Sequence, residues 1–437
     1  MREMKNSGID WIGDIPSGWR VCKLKKIIKF FNGYAFDSNV LKSDGLYPVV
    51  RIGDIINGKV DFSKANKIDE YGDFLNRFTI EPDDVVIAMS GATVGKMGYI
   101  KKVEVKSFIN QRVGIIRSDI NKFVYYYLSS EAFLKYIQLL SEGTAQPNIS
   151  TENINNYYIT QPSKTEINRI VSFLDEKCAE IDRVIEKTKA TIEEYKKLKQ
   201  SVITQAVTKG IRPNRPMKDS GIEWIGKIPA DWSVRKLKTF TTQISKGATP
   251  KDMSTEKTDF YSIRFLKSEN IVDNQLMSVP EFYIEESIHS GELKRSQLSD
   301  NDIMFVIAGA SIGKVAIVSN ELLPANTNQA MSFIRVLEKY REIKKYLWYV
   351  LQSDIMKLFI TLYSVQSAQP NISMENLGNF RLCVPADFQE IKDILLYLNI
   401  KCLEIDELIA KKTSLLSELE SYKKSLIYEY VTGKKEV

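Results

Sequence analysis

The sequence holds very little of the material from which catalytic and metal sites are commonly built. It contains one histidine, His289, and four cysteines, Cys22, Cys178, Cys383 and Cys402, which form no C-x-x-C pair. Because imidazole is the usual general base and the commonest metal ligand near neutral pH, we expect no histidine-dependent triad and no zinc site. Four cysteines in 437 residues also make no disulfide framework.

Long apolar runs are missing as well. No stretch approaches 18 consecutive apolar residues, and the segment after Met1 lacks the apolar region of a signal peptide. The sequence therefore predicts a cytoplasmic protein with no membrane partner. The 61 lysines and arginines exceed the 55 acidic residues, giving a formal charge of +6. That mild excess permits phosphate binding without demonstrating it.

Internal repetition, by contrast, is extensive. Four motifs occur twice in the same order: SGIDWIG at 7–13 and SGIEWIG at 220–226, GATVGK at 91–96 and GASIGK at 309–314, AQPNIS at 145–150 and 368–373, and KCAEID at 177–182 and KCLEID at 401–406. Between these motifs the two halves diverge widely. The pattern indicates one scaffold that occurs twice and carries two different variable surfaces.

Each half changes character partway along. Short β-rich runs separated by turn residues come first, and in the first half they lie at 47–52, 85–89, 97–100 and 112–116. One helical stretch interrupts them, at 123–140 in the first half and at 343–361 in the second. Near residues 163 and 386 both halves become long, charged and free of glycine and proline for about forty residues, which is typical of extended helices.

The two long stretches have one apolar stripe each, at the alternating spacing of three and four that defines a coiled-coil seam. The predicted coiled-coil and partner interface consists of Ile170, Leu174, Ile181, Ile185, Ile192, Ile394, Leu398, Ile405, Ile409, Leu416 and Leu419. An antiparallel pairing covers both stripes and lets the chain return from the second globule beside the first. The two halves would then be related by a pseudo-twofold axis, which matches the dyad of duplex DNA.

These patterns together predict the architecture. The fold class is α/β (α+β), with two similar globular domains at 1–162 and 211–385. A central helix at 163–210 and a C-terminal helix at 386–437 join them as a pseudo-twofold symmetric, antiparallel coiled coil.

The two glycine-lysine motifs superficially resemble a phosphate-binding loop. A true P-loop has four residues between its glycines, a serine or threonine after the lysine, and a following helix. Here three residues separate the glycines, Met97 or Val315 follows the lysine, and the next residues have the pattern of a strand. We therefore predict a strand–turn–strand hairpin. The hairpin serves either as scaffold or to present Thr93, Lys96, Ser311 and Lys314 to DNA phosphates.

The repeated AQPNIS motif also allows two interpretations. Glutamine and asparagine can bind adenine with two hydrogen bonds, which makes Gln146, Asn148, Gln369 and Asn371 candidate DNA-binding residues. Proline followed by Asn-Ile-Ser is also a good turn and helix-capping sequence, and capping is the favoured interpretation. The sequence leaves both interpretations open.

A third pattern suggests a different class of protein. Asp83, preceded by proline, and the later Glu104 and Lys106 approximate the signature of metal-dependent nucleases, whose carboxylates hold Mg²⁺ beside a phosphate. The pattern is short, and the second half has no matching Glu-x-Lys. An acidic turn before a strand is the simpler interpretation, and a stand-alone Mg-dependent nuclease is the alternative to it.

The order of these motifs, found twice, resembles the specificity subunits of type I restriction–modification systems over essentially the whole chain. The resemblance implies two target-recognition domains, each reading one half of a bipartite site in double-stranded DNA. It implies helices that hold the domains at fixed spacing and dock two methyltransferase subunits, which methylate adenine N6. Restriction/translocase subunits would join the complex, and a methylation-only or variant system is equally compatible with the sequence.

The same resemblance implies that this chain has no catalytic residue, metal or cofactor of its own. S-adenosylmethionine, ATP and Mg would be brought by the partner subunits. In agreement with that division, the sequence lacks an Asn-Pro-Pro-Tyr methyltransferase motif and a Walker A motif.

Overall fold

The computed structural model describes residues 2–141, 147–364 and 370–437. The chain forms two compact units. The first unit comprises Met1–Lys189 together with Ser414–Val437, and the second comprises Ala190–Thr413. Each long helix therefore contributes one part to each unit.

In the first unit the strands belong to small sheets. The central four-stranded sheet has the order β10-β9-β12-β4, and the three-stranded sheet has the order β11-β5-β8. The strands are β1 (Met4–Asn6), β2 (Asp14–Pro16), β3 (Arg20–Lys23), β4 (Lys29–Asn32), β5 (Tyr47–Val50), β6 (Ile55–Ile56), β7 (Lys59–Val60), β8 (Asn66–Ile68), β9 (Val85–Ala88), β10 (Met97–Tyr99), β11 (Phe108–Ile109), β12 (Val113–Arg117) and β13 (Tyr158–Gln161). The helices are α1 (Asn121–Leu128), α2 (Glu131–Ser141), α3 (Thr151–Asn156) and α4 (Lys164–Lys209).

The second unit repeats this element order. Its four-stranded sheet runs β17-β25-β22-β23 and its three-stranded sheet β21-β18-β24. The strands are β14 (Met217–Asp219), β15 (Lys227–Pro229), β16 (Ser233–Lys236), β17 (Thr241–Lys246), β18 (Tyr261–Leu266), β19 (Ile271–Val272), β20 (Gln275–Leu276), β21 (Tyr283–Glu285), β22 (Ile303–Val306), β23 (Val315–Ile317), β24 (Ala325–Thr327), β25 (Met331–Val336) and β26 (Arg381–Val384). The helices are α5 (Glu286–Ser290), α6 (Lys344–Gln352), α7 (Asp354–Tyr363), α8 (Met374–Asn379) and α9 (Phe388–Val431).

Strand β9 lies between two hydrophobic cores, which explains why its sequence is an unbroken apolar run. All four of its residues are buried, and they alternate between two cores because successive strand residues point to opposite faces. Val85 and Ile87 pack into the core beneath the helices, whereas Val86 and Ala88 pack into the core beside β5. Strand β22 in the second unit divides its cores in the same way.

The stretches predicted to be helical at 123–140 and 343–361 are helical, and each consists of two helices. The first stretch is interrupted between α1 and α2, where the Ser129 hydroxyl donates 2.7 Å to the Tyr125 carbonyl. Ser353 interrupts the second, with an extended backbone and a hydroxyl that donates 2.6 Å to the Val350 carbonyl. Serine hydroxyls that bond nearby backbone carbonyls compete with continued helix, and apolar periodicity does not reveal this.

Within each unit the long helices pair antiparallel. Three contacts between the helices give the direction, because a later residue on one helix meets an earlier residue on the other: Phe173 with Tyr430 and Asp182 with Lys423 in the first unit, and Lys199 with Asp406 in the second. Arg212, which follows the end of α4, continues the same direction in its ion pair with Asp393. The Lys–Asp distances are both 2.6 Å, and these two ion pairs occupy equivalent positions of the sequence repeat.

The predicted seam residues lie between the helices and the globular parts. Most of them are buried: Ile170, Leu174, Ile181, Ile185, Ile192, Ile394, Leu398 and Ile405. Ile409, Leu416 and Leu419 are half-buried. In the first unit the same core that holds the globular side chains extends along α4 to Ile185, and in the second unit it extends along α9 to Cys402. Among the described helices, none is both long and apolar enough to cross a membrane.

Candidate nucleic-acid interface

Each glycine-lysine motif forms the turn of an antiparallel hairpin, β9–β10 in the first unit and β22–β23 in the second. Gly95 and Gly313 have positive φ angles of 81° and 90°. A Cβ atom at these glycines would approach Ile137 to 2.7 Å and Ile360 to 2.9 Å, because α2 and α7 pack over the turns. The hairpin prediction is confirmed, and the strand that follows each turn is incompatible with a phosphate loop.

The Pro-Asn-Ile-Ser segments lie directly beside these turns. In the first unit the Gly91 N–H donates 2.8 Å to the Pro147 carbonyl, and the Ile149 N–H donates 2.9 Å to the Met89 carbonyl. The same two bonds recur in the second unit, at 3.2 Å from Gly309 to Pro370 and at 2.9 Å from Ile372 to Ile307. We call the resulting surface, residues 89–96 with 147–150 and residues 307–314 with 370–373, the turn surface of each unit.

The turn surfaces bring most of the predicted DNA-binding residues together. Lys96, Asn148 and Asn371 are exposed there, and Thr93 and Ser311 are half-buried. Lys314 is also exposed, and its amine donates 3.1 Å to the carbonyl of Ile271. Gln146 and Gln369 lie outside the described residues.

The serine of each AQPNIS motif caps a helix. The Ser150 hydroxyl accepts 3.0 Å from the Asn153 N–H at the start of α3, and Ser373 accepts 3.0 Å from the Asn376 N–H at the start of α8. The capping interpretation is therefore confirmed for the serines. It does not exclude the binding interpretation, because the asparagine two residues earlier is exposed in both units. One motif can thus fix a helix and present an amide.

Sequence reasoning missed a buried ion pair behind each hairpin. Arg117 binds both carboxylate oxygens of Asp84, at 2.7 and 2.9 Å, and Arg335 binds Asp302 at 2.9 and 2.7 Å. Both aspartates are only 1% exposed. Hydrogen bonding to the Asp84 carboxylate raises the pKa of the Arg117 guanidinium above its ordinary value. The only available signal was that each aspartate lies the same number of residues before its arginine.

The nuclease alternative was wrong, because its three residues have separate partners. Asp83 lies in a turn and accepts 2.5 Å from the Tyr99 hydroxyl, next to the buried aspartate rather than near a phosphate-binding cleft. Glu104 is exposed and pairs with Lys102 at 3.0 Å, while the Lys106 amine donates 2.6 Å to the side chain of Asn76. Across 2–141, 147–364 and 370–437, no three His, Cys, Asp or Glu side chains cluster as a metal site.

A second repeated cluster anchors each long helix to the opening motif. The indole N–H of Trp19 donates 3.1 Å to Glu166 in the first turn of α4, and Arg2 pairs with the same carboxylate. Trp232, Glu390 and Arg215 make the equivalent cluster at the start of α9. Burial alone would raise the pKa of Glu166, but hydrogen bonds from Trp19, Arg2 and the adjacent serine outweigh it and lower the pKa to about 2. The carboxylate therefore stays ionised and holds the cluster together.

Each unit combines a globular part that carries one turn surface with antiparallel segments of the two long helices. The model of the family "Type I restriction modification DNA specificity domain" matches residues 16–194 and 229–415. Because these matches cover well over half of the sequence, the chain belongs to that family. The predicted fold class, two similar α/β domains and a pair of long helices, is confirmed.

Individual relatives agree with this assignment. The type I restriction enzyme MjaVIII specificity subunit of Methanocaldococcus jannaschii is 30% identical over 211 residues, which cover 46% of this chain and 48% of that protein. The EcoAI specificity subunit of Escherichia coli is 28% identical over 190 residues, 41% of this chain and 32% of that protein. The matches thus span about half or less of the curated relatives.

A solved structure shares the fold along nearly the entire chain. It comes from work on complex assembly and conformational transition of the type I R-M system and has a TM-score of 0.68. The match covers 96% of this chain and 99% of the solved one, at 15% sequence identity. At that identity the likeness establishes the arrangement of helices and strands and says nothing of individual binding residues.

Proposed function

We propose that this chain is a specificity subunit of a type I restriction–modification system. It recognises a bipartite site in double-stranded DNA and catalyses no reaction itself. The observation that carries the proposal is the turn surface, whose backbone is the same in both units while the side chains around it differ. The turn surfaces themselves are nearly identical, and the residues beside them differ, with Arg112 and Asn32 in the first unit against Ala330 and Lys246 in the second. Such a pair of surfaces suits a site with two different half-sequences.

The exposed residues of the turn surface have the chemistry that DNA binding needs. The exposed amine of Lys96 can reach a phosphate oxygen, whereas the Lys314 amine already donates one hydrogen bond to the carbonyl of Ile271. The amides of Asn148 and Asn371 can pair with N6 and N7 of adenine in the major groove. The half-buried Ser311 has a shorter hydroxyl, which suits close contact with the backbone, whereas the Thr93 hydroxyl is buried.

Selection from a randomised duplex pool tests this function directly. The purified chain is expected to enrich a motif of two parts separated by unspecified bases. Replacing residues 1–162 with the equivalent domain of a relative should change one part and leave the other intact, since each unit has its own turn surface. Enrichment of no motif, or a change in both parts at once, would contradict the proposal.

The proposal includes two methyltransferase subunits as partners, with S-adenosylmethionine for adenine methylation, and restriction/translocase subunits with ATP and Mg. A row of exposed apolar side chains on α9 supports a docking surface for a methyltransferase subunit there. Leu396, Ile400 and Leu403 lie one helical turn apart and are 63%, 48% and 61% exposed. The equivalent residues of α4 are Ser172, Glu176 and Ala179, so the two helices offer unequal surfaces. Exposed leucine and isoleucine side chains in such a row mark a protein-binding face.

Ile400→Glu is expected to remove one of the two methyltransferase subunits from the complex. The variant should fold, because Ile400 is half exposed and α4 carries glutamate at the matching position. Native mass spectrometry of co-purified complexes gives the stoichiometry, and Ser417→Glu on another part of α9 is the control. Two bound subunits in the Ile400→Glu complex would show that this face does not bind the partner.

A further inference from the structure

A cavity of about 320 Å³ opens beside the turn surface of the second unit. It is lined by Lys246 at the end of β17, Ala308 and Gly309 of the hairpin turn, Gln329 and Ala330 before β25, and Asn371. Two side-chain amides and one amine thus surround an apolar floor. No residue of this lining other than Asn371 was among the predicted DNA contacts.

The backbone frame of the cavity is fixed, and the first unit has the same frame. The Ile307 N–H donates 2.9 Å to the Ala330 carbonyl, as the Met89 N–H donates 2.8 Å to the carbonyl of Arg112. After β17, a Cβ atom on Gly247 would lie 1.8 Å from the backbone oxygen of Thr327, and one on Gly33 after β4 would lie 2.0 Å from the backbone oxygen of Asn110. Only glycine allows the two backbone segments to approach so closely, which holds the rim in one position.

The side chains on this common frame are partly shared and partly different. Asn110-Gln111-Arg112 in the first unit corresponds to Asn328-Gln329-Ala330 in the second, and Asn148 corresponds to Asn371. The amides are therefore present in both units. The differences are Arg112 where the second unit has Ala330, Asn32 where it has Lys246, and Ser90 where it has Ala308. Alanine leaves the space open in the second unit, and the exposed arginine occupies the equivalent position in the first.

We infer that this place receives the edge of one base pair in each half-site, and that the residue at 112 or 330 sets which base is preferred. The inference rests on the proposed DNA-binding function. Arginine binds O6 and N7 of guanine with two hydrogen bonds, so the first unit selects guanine at this position. In the second unit alanine replaces the arginine, the amides of Gln329 and Asn371 line the open cavity, and amides select adenine. Lys246 at the rim then faces the phosphate backbone.

Two reciprocal variants test the inference by selection of the purified full chain on a randomised duplex pool. Arg112→Ala should lower the preference for guanine at one position of one half-site by about tenfold or more, and leave the other half-site unchanged. Ala330→Arg should introduce a guanine preference at one position of the other half-site. Ala410→Arg, which adds the same charge on the exposed surface of α9, should alter neither half-site.

The possible outcomes distinguish failure of this inference from failure of the proposed DNA-binding function. If the wild-type chain enriches a bipartite motif and both variants enrich the same motif, the inference is overturned while the proposed function stands. Uniformly weaker binding by Arg112→Ala, with base preferences unchanged, would make Arg112 a phosphate contact and also overturn it. If the wild-type chain enriches no motif, the proposed function fails and the inference fails with it. Gln329→Ala, at an exposed position, provides a further variant that should weaken the adenine preference of the second unit even if Ala330→Arg does not fold.

Discussion

Arg335→Met is expected to lower the free energy of unfolding of the second unit by about 3–5 kcal/mol. The substitution keeps the aliphatic part of the side chain and removes the guanidinium, which leaves the buried carboxylate of Asp302 without its cation. The remaining hydrogen bond from the Ser299 N–H does not neutralise that charge. Arg117→Met should have the same effect on the first unit, because Asp84 is buried to the same degree.

Urea unfolding of each variant measures the loss, with tryptophan fluorescence as the signal. Lys102→Met is the matched control, because it removes an ion pair with Glu104 in which both side chains are exposed, and little or no change is expected. A loss no larger for Arg335→Met than for this control would show that water reaches Asp302 and that the pair is not structurally important.

Gly433→Ala should destabilise the first unit by about 2–4 kcal/mol, for two separable reasons. The residue follows α9 with a φ of 74°, a conformation that disfavours any Cβ atom. The added Cβ would also lie 2.5 Å from the Pro16 ring and 2.9 Å from Trp19, both fixed in the core. Gly210 follows α4 with a φ of 73°, and an added Cβ would lie 2.9 Å from the Arg215 side chain and 3.2 Å from Trp232, so Gly210→Ala should destabilise the second unit.

Gly8→Ala separates the two causes. Gly8 has a φ of 73° and no atom within 4 Å of the position of a Cβ, so only the backbone cost of about 1 kcal/mol is expected. Denaturant midpoints of the single variants give the comparison. Equal losses for Gly8→Ala and Gly433→Ala would mean that the helix end does not pack tightly on the opening motif.

The parts of the fold that the sequence predicted correctly are those encoded by local pattern. The seam of α4 can be read from residues three and four positions apart, and the hairpins can be read from glycines spaced within six residues. The break at Ser353 was missed because a single serine alters the helix without altering apolar spacing. The four-segment division at 162, 210 and 385 stays a prediction, since packing groups the chain by unit and divides each helix between two units.

The functional surface was predicted only in pieces. Lys96 and Asn148 were identified from their residue types, yet nothing in the sequence indicated that their motifs share backbone hydrogen bonds. Arg117 and Asp84 were missed for the same reason, because their contact spans 33 residues with no periodic signal. Asp83 was a candidate nuclease residue because it follows a proline. The residue with a structural role is its buried neighbour Asp84, which pairs with Arg117. Contacts between distant segments depend on the whole fold and are not encoded in short motifs.

The division of α9 between the two units has a consequence for synthesis on the ribosome. The second unit is one continuous stretch, Ala190–Thr413, and can fold as soon as that stretch has emerged. The first unit also requires Ser414–Val437, whose Leu426, Ile427 and Val431 fill its core. Although most of the first unit is translated first, its core stays incomplete until the second unit has been synthesised. A nascent chain interrupted before residue 414 therefore contains at most one finished unit, and only molecules that carry the later segment present two complete turn-bearing domains.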